Sequence, residues 1–476
     1  MTHQLLSIFC ALLSSTITHA QAPLTAKCND FNSSATISPR PGVNATLASD
    51  IAVALNFERS NWATGSVAED LFYQVPSNAS NATAGSLLKL EVHTNTSLYT
   101  IPPTTALSRF LFQTVDFNGS AQPASAYILW PYSPRTLADG TFPVVAFAHG
   151  TSGIYGEAAP SHIRNLWYHF ITPFILALQG YVVVAPDYLG LGVTKDAAGK
   201  HISHPYLAST SHANDLFYSV QAAQSAFPKL SKQFVVLGHS QGGIAAWGAA
   251  QRQAETPVEG YLGSIAASPV GNLLDVFEGA GEPKSGAQFG NVIVDAIAGI
   301  YPDFNRETSL TTLGLQRLQV NQEIQGVQSV QLVLWPASDA ALLVKDYWWR
   351  NDQFYAFNNV SSIGGKPIAG PMLVLQGDSD TAAPIQGTLS AINKTCTLYP
   401  NSQVELQVYQ GVDHVPTMYA SQQSWLRWIE DRFAGKAVKN TSCGSMGNST
   451  SAMDYRFSQQ QPSWYLEYRT QDYETA

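Results

Sequence analysis

The hexapeptide Gly238-His239-Ser240-Gln241-Gly242-Gly243 lies between an apolar run, Phe234-Val235-Val236-Leu237, and a helical pattern from 242 to about 253. A serine presented on so short a link between strand and helix takes a strained backbone conformation, which leaves no room for side chains two residues before and after it. Gly238 and Gly242 meet that demand. Such a turn forms only where a buried strand feeds directly into a helix, so the motif commits the chain to a sheet with helices packed on it.

The flanking sequence repeats the same unit. Phe142-Pro143-Val144-Val145-Ala146-Phe147-Ala148 is nearly continuous in apolar residues, as a strand buried on both faces of a parallel sheet must be. A helix is expected over 158–178, then a strand at Tyr181-Val182-Val183-Val184-Ala185 and an amphipathic helix around 210–227. After a gap the alternation resumes, with a strand at Met372-Leu373-Val374-Leu375, a helix over 384–395, a strand over 404–409 and a helix over 419–433. Shorter alternating runs between about 85 and 132, such as Leu88-Lys89-Leu90-Glu91-Val92, read as antiparallel lead-in strands. The sum is an α/β fold with a mostly parallel, doubly wound sheet.

The gap, about 270–365, contains an amphipathic stretch over 292–300 and an aromatic cluster, Tyr347-Trp348-Trp349. It reads as a helical cap inserted over the C-terminal edge of the sheet, where ligands bind in such folds. A solvated insertion with its own small core is the alternative.

Composition bears on the compartment. Charged residues make up 12% of the 476-residue chain, against roughly 25% in an average soluble protein, so Ser, Thr, Asn and Gln must supply much of the surface polarity. A net charge of −9 gives no basic footprint for nucleic acid. An apolar stretch from Leu5 to Ile17 ending in small residues marks 1–20 as a signal peptide, so a secreted, extracellular protein is expected. Ten Asn-x-Ser/Thr sequons, at Asn32, Asn44, Asn78, Asn81, Asn95, Asn118, Asn359, Asn393, Asn440 and Asn448, are candidate glycosylation sites and leave 119–358 clear. Cleavage would remove Cys10 from the four cysteines, and of the three pairings then open Cys396 with Cys443 is the expected disulfide, with Cys28 as the alternative partner. No cysteine or histidine pair has metal-ligand spacing, and neither metal nor cofactor is expected.

A serine hydroxyl is a weak nucleophile at neutral pH and needs a base, which in turn needs an acid to orient it. His414, in Gly411-Val412-Asp413-His414 after a late strand, is the only histidine beyond His239 and is the candidate base. For the acid, Gly377-Asp378-Ser379-Asp380 offers two carboxylates; Asp380, further from the strand end, has room to turn toward His414, while Asp378 stays open as the alternative and Asp413 as a poor third. An oxyanion would need two backbone N–H donors, for which Gln241, after the nucleophile, and Thr151, in His149-Gly150-Thr151-Ser152-Gly153, are the candidates.

The blocks Ala148-His149-Gly150-Thr151, Ala185-Pro186-Asp187-Tyr188-Leu189-Gly190-Leu191-Gly192, His204-Pro205-Tyr206 and Gly238-His239-Ser240-Gln241-Gly242-Gly243, with Asp380 and His414, resemble the fungal secretory lipase family over about 140–435. The resemblance implies an α/β-hydrolase fold with a helical lid between nucleophile and acid, no cofactor, ester hydrolysis, and a triad of Ser240, Asp380 and His414. Asp187 is expected to anchor a loop. The organisation expected is a signal peptide (1–20), a glycosylable extension (21–84), a core in two parts (85–269 and 366–435) around the cap (270–365), and a polar tail (436–476). The function expected is that of a secreted serine carboxylic ester hydrolase acting on a small-molecule or lipid ester, with transient contact between cap and lipid interface. A serine peptidase or acyltransferase using the same triad is the alternative, and a catalytically inactive binding protein a more distant one.

Overall fold

The computed structural model describes residues 35–438 and 442–459. The signal-peptide reading, Cys28, Asn32 and Asn440 fall outside them. The chain opens with helix α1 (Ala45–Ser60), capped by the Asn44 side chain, which accepts the Leu47 N–H. Strands β1 (Leu87–Glu91), β2 (Ala106–Val115) and β3 (Ala121–Trp130) then form an antiparallel meander. Strand and helix alternate from there: β4 (Phe142–Ala148), α2 (Pro173–Leu178), β5 (Val182–Pro186), α3 (Ser209–Ala226), β6 (Leu230–His239), α4 (Gln241–Glu255) and β7 (Tyr261–Ala267). Six helices follow, α5 (Leu273–Ala280), α6 (Gly290–Ile300), α7 (Thr312–Ile324), α8 (Gln328–Leu334), α9 (Ala340–Leu343) and α10 (Asp352–Ser361). The sheet pattern returns with β8 (Met372–Gly377), α11 (Ile385–Leu398), β9 (Val404–Tyr409), α12 (Pro416–Ala420), α13 (Gln422–Phe433) and β10 (Ser445–Ser449).

The ten strands among the described residues belong to one sheet, in the order β1-β2-β3-β5-β4-β6-β7-β8-β9-β10. From β5 to β10 every pairing is parallel, and β3 joins β5 antiparallel. Side chains alternate across the pleat, so each parallel strand feeds two cores. Val144, Ala146 and Ala148 of β4 face the layer of α3 and α4, with Leu216, Phe217 and Trp247. Val145 and Phe147 face the other layer, with Phe174, Trp425 and Ile429. This explains why these strands read as unbroken apolar runs rather than as alternating ones.

Three features differ from expectation. Instead of a helix over 158–178 there are short 3-10 turns at 156–158, 160–162 and 169–171 before α2. Pro160 and Pro173 break helical continuity, and Leu166, Trp167 and His169 take positive φ values. Strand β7 was not anticipated, because Gly263, Ser264 and its alanines dilute the apolar signal. Within the polar tail, β10 adds a parallel edge strand beside β9, next to the Cys396–Cys443 disulfide.

The helices between β7 and β8 extend the core on the α3 and α4 side of the sheet, with Phe277, Val292, Trp348 and Phe354 in one cluster with Leu216, Phe217 and Trp247. Trp348 and Trp349 are buried against Phe277 and Phe354, so two of the three clustered aromatics are interior. Helix α1 packs Ile51, Ala54 and Leu55 on Val320, Val330 and Leu334 of α7 and α8. The buried Glu58 carboxylate accepts the Val327 and Val330 N–H groups at 3.1 and 2.7 Å, capping the start of α8. Among the described residues no helix is long and apolar enough to cross a membrane.

Candidate active site

The turn after β6 sets Ser240 at φ 60° and ψ −119°, a region L-residues avoid. It is held there from both sides: Ser240 N–H donates to Ala267 O at 2.9 Å, extending the β6–β7 ladder, and Ser240 O accepts from Ile244 in the first turn of α4. A Cβ on Gly238 would lie 2.0 Å from Gly242 O, and one on Gly242 1.9 Å from Ala148 O. Both obstacles are backbone, one in the first turn of α4 and one at the end of β4, so only glycine fits at either place. Ser240 is partly exposed between two buried residues, His239 and Gln241.

Two further loops leave parallel strands on the same edge. After β8, Asp380 is buried; its Oδ1 accepts the Ala382 and Ala383 N–H groups at 3.0 and 2.7 Å, and its Oδ2 accepts the Gln376 amide at 2.9 Å. After β9, His414 Nδ1 lies 2.8 Å from Asp380 Oδ2. A carboxylate only accepts, so the Nδ1 proton points at Asp380 and the Nε2 lone pair of neutral His414 faces away from it. Burial alone would raise the Asp380 pKa, but the hydrogen bond from His414, the positive charge that ring carries when protonated and the Ala383 N–H outweigh it and hold the group below the ordinary carboxylate value. Asp378 turns elsewhere and accepts the Gly411 N–H at 2.6 Å; Asp413 accepts the Thr381 N–H at 3.1 Å.

His239 joins the elbow to the His414 loop. Its Nε2 donates to His414 O at 3.1 Å, the two rings lie 4.6 Å apart, and its Nδ1 accepts the Tyr168 hydroxyl at 2.6 Å. Burial pushes the His239 pKa down to about 3, so it is a neutral strut. Thus Asp380 and His414 touch directly, while Ser240 is brought near them through its neighbour; Ser240 and His414 share no hydrogen bond among the described residues, a common looseness in unliganded sites.

The loop after β4 closes the fourth side. Thr151 is partly exposed with its hydroxyl 2.9 Å from Tyr206 Oη, and Ser152 O accepts the Gln328 N–H of α8. Gln241 opens α4, so its N–H precedes the first intrahelical bond and is left for a ligand. His149 is buried beneath, stacked on Tyr188, with a pKa lowered by burial to about 4. Asp187 is also buried and accepts from the Ser125 hydroxyl and from the backbone and hydroxyl of Ser161, tying the 157–163 segment to the sheet.

A cavity of about 380 Å³ opens beside the Asp380 loop, walled by Leu273, Val276, Phe277, Phe289, Ala382 and Pro384. Among the described residues no group of three or more His, Cys, Asp or Glu could hold a metal ion. Tyr168, His212 and Gln376 escaped the sequence reading, and His204 entered it without a role. The block His204-Pro205-Tyr206 stood out, but no spacing rule shows that 204 and 212 converge on Gln241.

The sequence model of the alpha/beta hydrolase family matches residues 145–423. No curated protein sequence matches the chain. Among solved structures, Candida antarctica lipase A in its closed state is similar with a TM-score of 0.64 and 17% identity, over 81% of this chain and 90% of that one. The rice cell wall degrading esterase LipA from Xanthomonas oryzae is similar at 0.58 and 19%, over 74% of this chain and 98% of that one. A putative hydrolase from Legionella pneumophila is similar at 0.53 and 15%, over 74% and 98%. At these identities the likeness is one of fold.

Proposed function

The chain belongs to the alpha/beta hydrolase family, and on that premise we propose that it is an exported carboxylic ester hydrolase with Ser240 as nucleophile, His414 as general base and Asp380 as the carboxylate orienting that base. The observation that carries this reading is the 2.8 Å contact of Asp380 with His414 beside a serine held at positive φ. His414 Nε2 takes the Ser240 hydroxyl proton as Oγ attacks the ester carbonyl. The oxyanion that forms is met by the Gln241 and Thr151 N–H groups. Collapse expels the alcohol, which leaves with the proton from His414 and yields an acyl-Ser240 ester. Water, deprotonated by His414, then attacks that ester, and collapse breaks the acyl–Oγ bond, releasing the acid as His414 returns the proton to Ser240 Oγ.

The cavity beside the acid loop, mostly apolar with Glu282 and Lys284 also in its wall, suits an uncharged acyl chain, and the helices between β7 and β8 serve as its cap. Two of the similar structures are described as a lipase and an esterase, which favours esters over amides. Export is supported by the disulfide and by the sequons: Asn44, Asn78, Asn81, Asn95, Asn118, Asn359, Asn393 and Asn448 are all exposed.

The test is turnover of p-nitrophenyl esters from acetate to palmitate beside aminoacyl anilides. Ester turnover with inert anilides is the expected result, and the preferred chain length reports the acyl cavity. Anilide turnover above ester turnover would replace this reading with a peptidase.

A further inference from the structure

Behind the elbow lies a buried polar cluster that the reaction steps above do not use. Gln241, His204 and His212 are 1%, 3% and 0% exposed, and Gln241 Nε2 lies 3.0 Å from His204 Nε2 and 3.1 Å from His212 Nε2. His204 Nδ1 is 2.7 Å from Leu189 O. A carbonyl only accepts, so this nitrogen carries the proton, and a neutral His204 must present a lone pair at Nε2. The atom of Gln241 facing it is therefore the amide nitrogen, and the orientation of that amide follows from hydrogen-bond logic rather than from choice.

His212 completes the pair. Burial lowers its pKa to about 3, so the ring is neutral, and because the amide nitrogen facing its Nε2 only donates, that Nε2 accepts and both amide hydrogens of Gln241 are taken. The cluster is itself braced. The His204 and His212 rings stack at 5.4 Å, and Tyr188 packs on His212 at 4.4 Å and on His149 at 4.3 Å. Asp215, 4.0 Å from His212 Nδ1, accepts the Thr114 hydroxyl and the Leu189 N–H.

We propose that His204 and His212 are positioning residues for ester hydrolysis: by gripping the Gln241 side chain they fix the Ser240–Gln241 peptide, whose N–H faces the oxyanion. The proposal rests on the function proposed above. Its physical need is local. Ser240 is strained, and rotation of the peptide that follows it would relieve the strain while turning the N–H away from the substrate. A side-chain anchor one residue later blocks that rotation.

Four variants test this: His212→Leu, which removes the acceptor; His212→Gln, which offers an amide oxygen in its place; His204→Leu; and Gln241→Met, which keeps volume without the amide. For each, kcat and KM with p-nitrophenyl butyrate, the melting temperature, and inhibition by an aliphatic trifluoromethyl ketone are measured. The ketone binds as a hemiketal and reports the oxyanion site directly. The expected result is a fall in kcat of about 10- to 100-fold in His212→Leu and Gln241→Met, part of the roughly 10²- to 10³-fold that loss of a whole donor costs. KM stays within about threefold, ketone inhibition weakens by the same factor as kcat, and His212→Gln recovers most of the loss. If His212→Leu does not fold, Gln241→Met and His204→Leu carry the test. Unchanged kcat in a folded Gln241→Met or His212→Leu would overturn the proposal, as would losses that follow the melting temperature with no selective effect on the ketone. Ester turnover absent from the parent enzyme would instead overturn the function proposed above, and this inference with it.

Discussion

The C-terminal edge of the sheet and the helical segment between β7 and β8 are held together by different means. At the edge, Ser240, Asp380 and His414 each lie just past the end of a parallel strand, and backbone ladders and short polar bonds fix their positions. The helical segment is held by side-chain packing, through Phe277, Trp348, Trp349 and Phe354, and by α1, whose Glu58 caps α8 from 269 residues away. The edge is therefore rigid by construction, whereas the segment above it depends on contacts that can be weakened one at a time. On the function proposed above, chemistry falls to the first region and access to the second.

The largest effects should fall on the edge. Ser240→Ala and His414→Ala are each expected to lower kcat for p-nitrophenyl esters by at least about 10⁴-fold while leaving the melting temperature near that of the parent. Activity surviving in either would break the division of labour. Asp380→Asn should lose about 10⁴-fold, because the base would be held in the wrong tautomer, whereas Asp378→Asn should lose far less, since Asp378 binds the Gly411 N–H instead of His414. A reversal of these two would reassign the acid.

The same two carboxylates show how far the sequence could be read. Strand ends, the elbow and the placing of Ser240, Asp380 and His414 just past successive strand ends were legible because buried parallel strands and tight turns leave local marks: apolar runs such as 142–148 and glycines at 238 and 242. Asp380 was distinguishable from Asp378 only by the room it had to turn, and the turn itself settles where each points. The region over 158–178 misled because its apolar residues suit a helix, yet two prolines and a series of positive-φ residues coil it into a buried loop. The grip of Glu58 on α8 and of His204 and His212 on Gln241 left no mark at all, since both join residues that only the folded chain brings together.

Effects in the helical segment should appear in stability rather than in the chemical step. Trp348→Ala removes a fully buried ring from the aromatic core and should cost about 3–5 kcal/mol, read by denaturant unfolding. Loss of ester turnover without loss of stability would mean that Trp348 acts on the substrate. The smallest effect concerns pH. Burial raises the Glu58 pKa from 4.5 to about 8, so between those values the folded protein keeps a proton that the unfolded chain has released. Stability from this group is thus greatest below about pH 4.5 and declines as pH rises toward about 8. Glu58→Gln should flatten that part of the melting-temperature profile, with the gap between variant and parent closing toward low pH. An unchanged profile would mean that the α1 contact does not bear on stability in this range.

The most direct test of the central claim is labelling of the intact protein with a fluorophosphonate, followed by mass mapping of the adduct, in the parent, Ser240→Ala, His414→Ala and Asp380→Asn. The account predicts a single adduct on the peptide carrying Ser240, absent in Ser240→Ala and formed far more slowly in the other two. Labelling elsewhere, or labelling of Ser240 at the parent rate without His414, would contradict it.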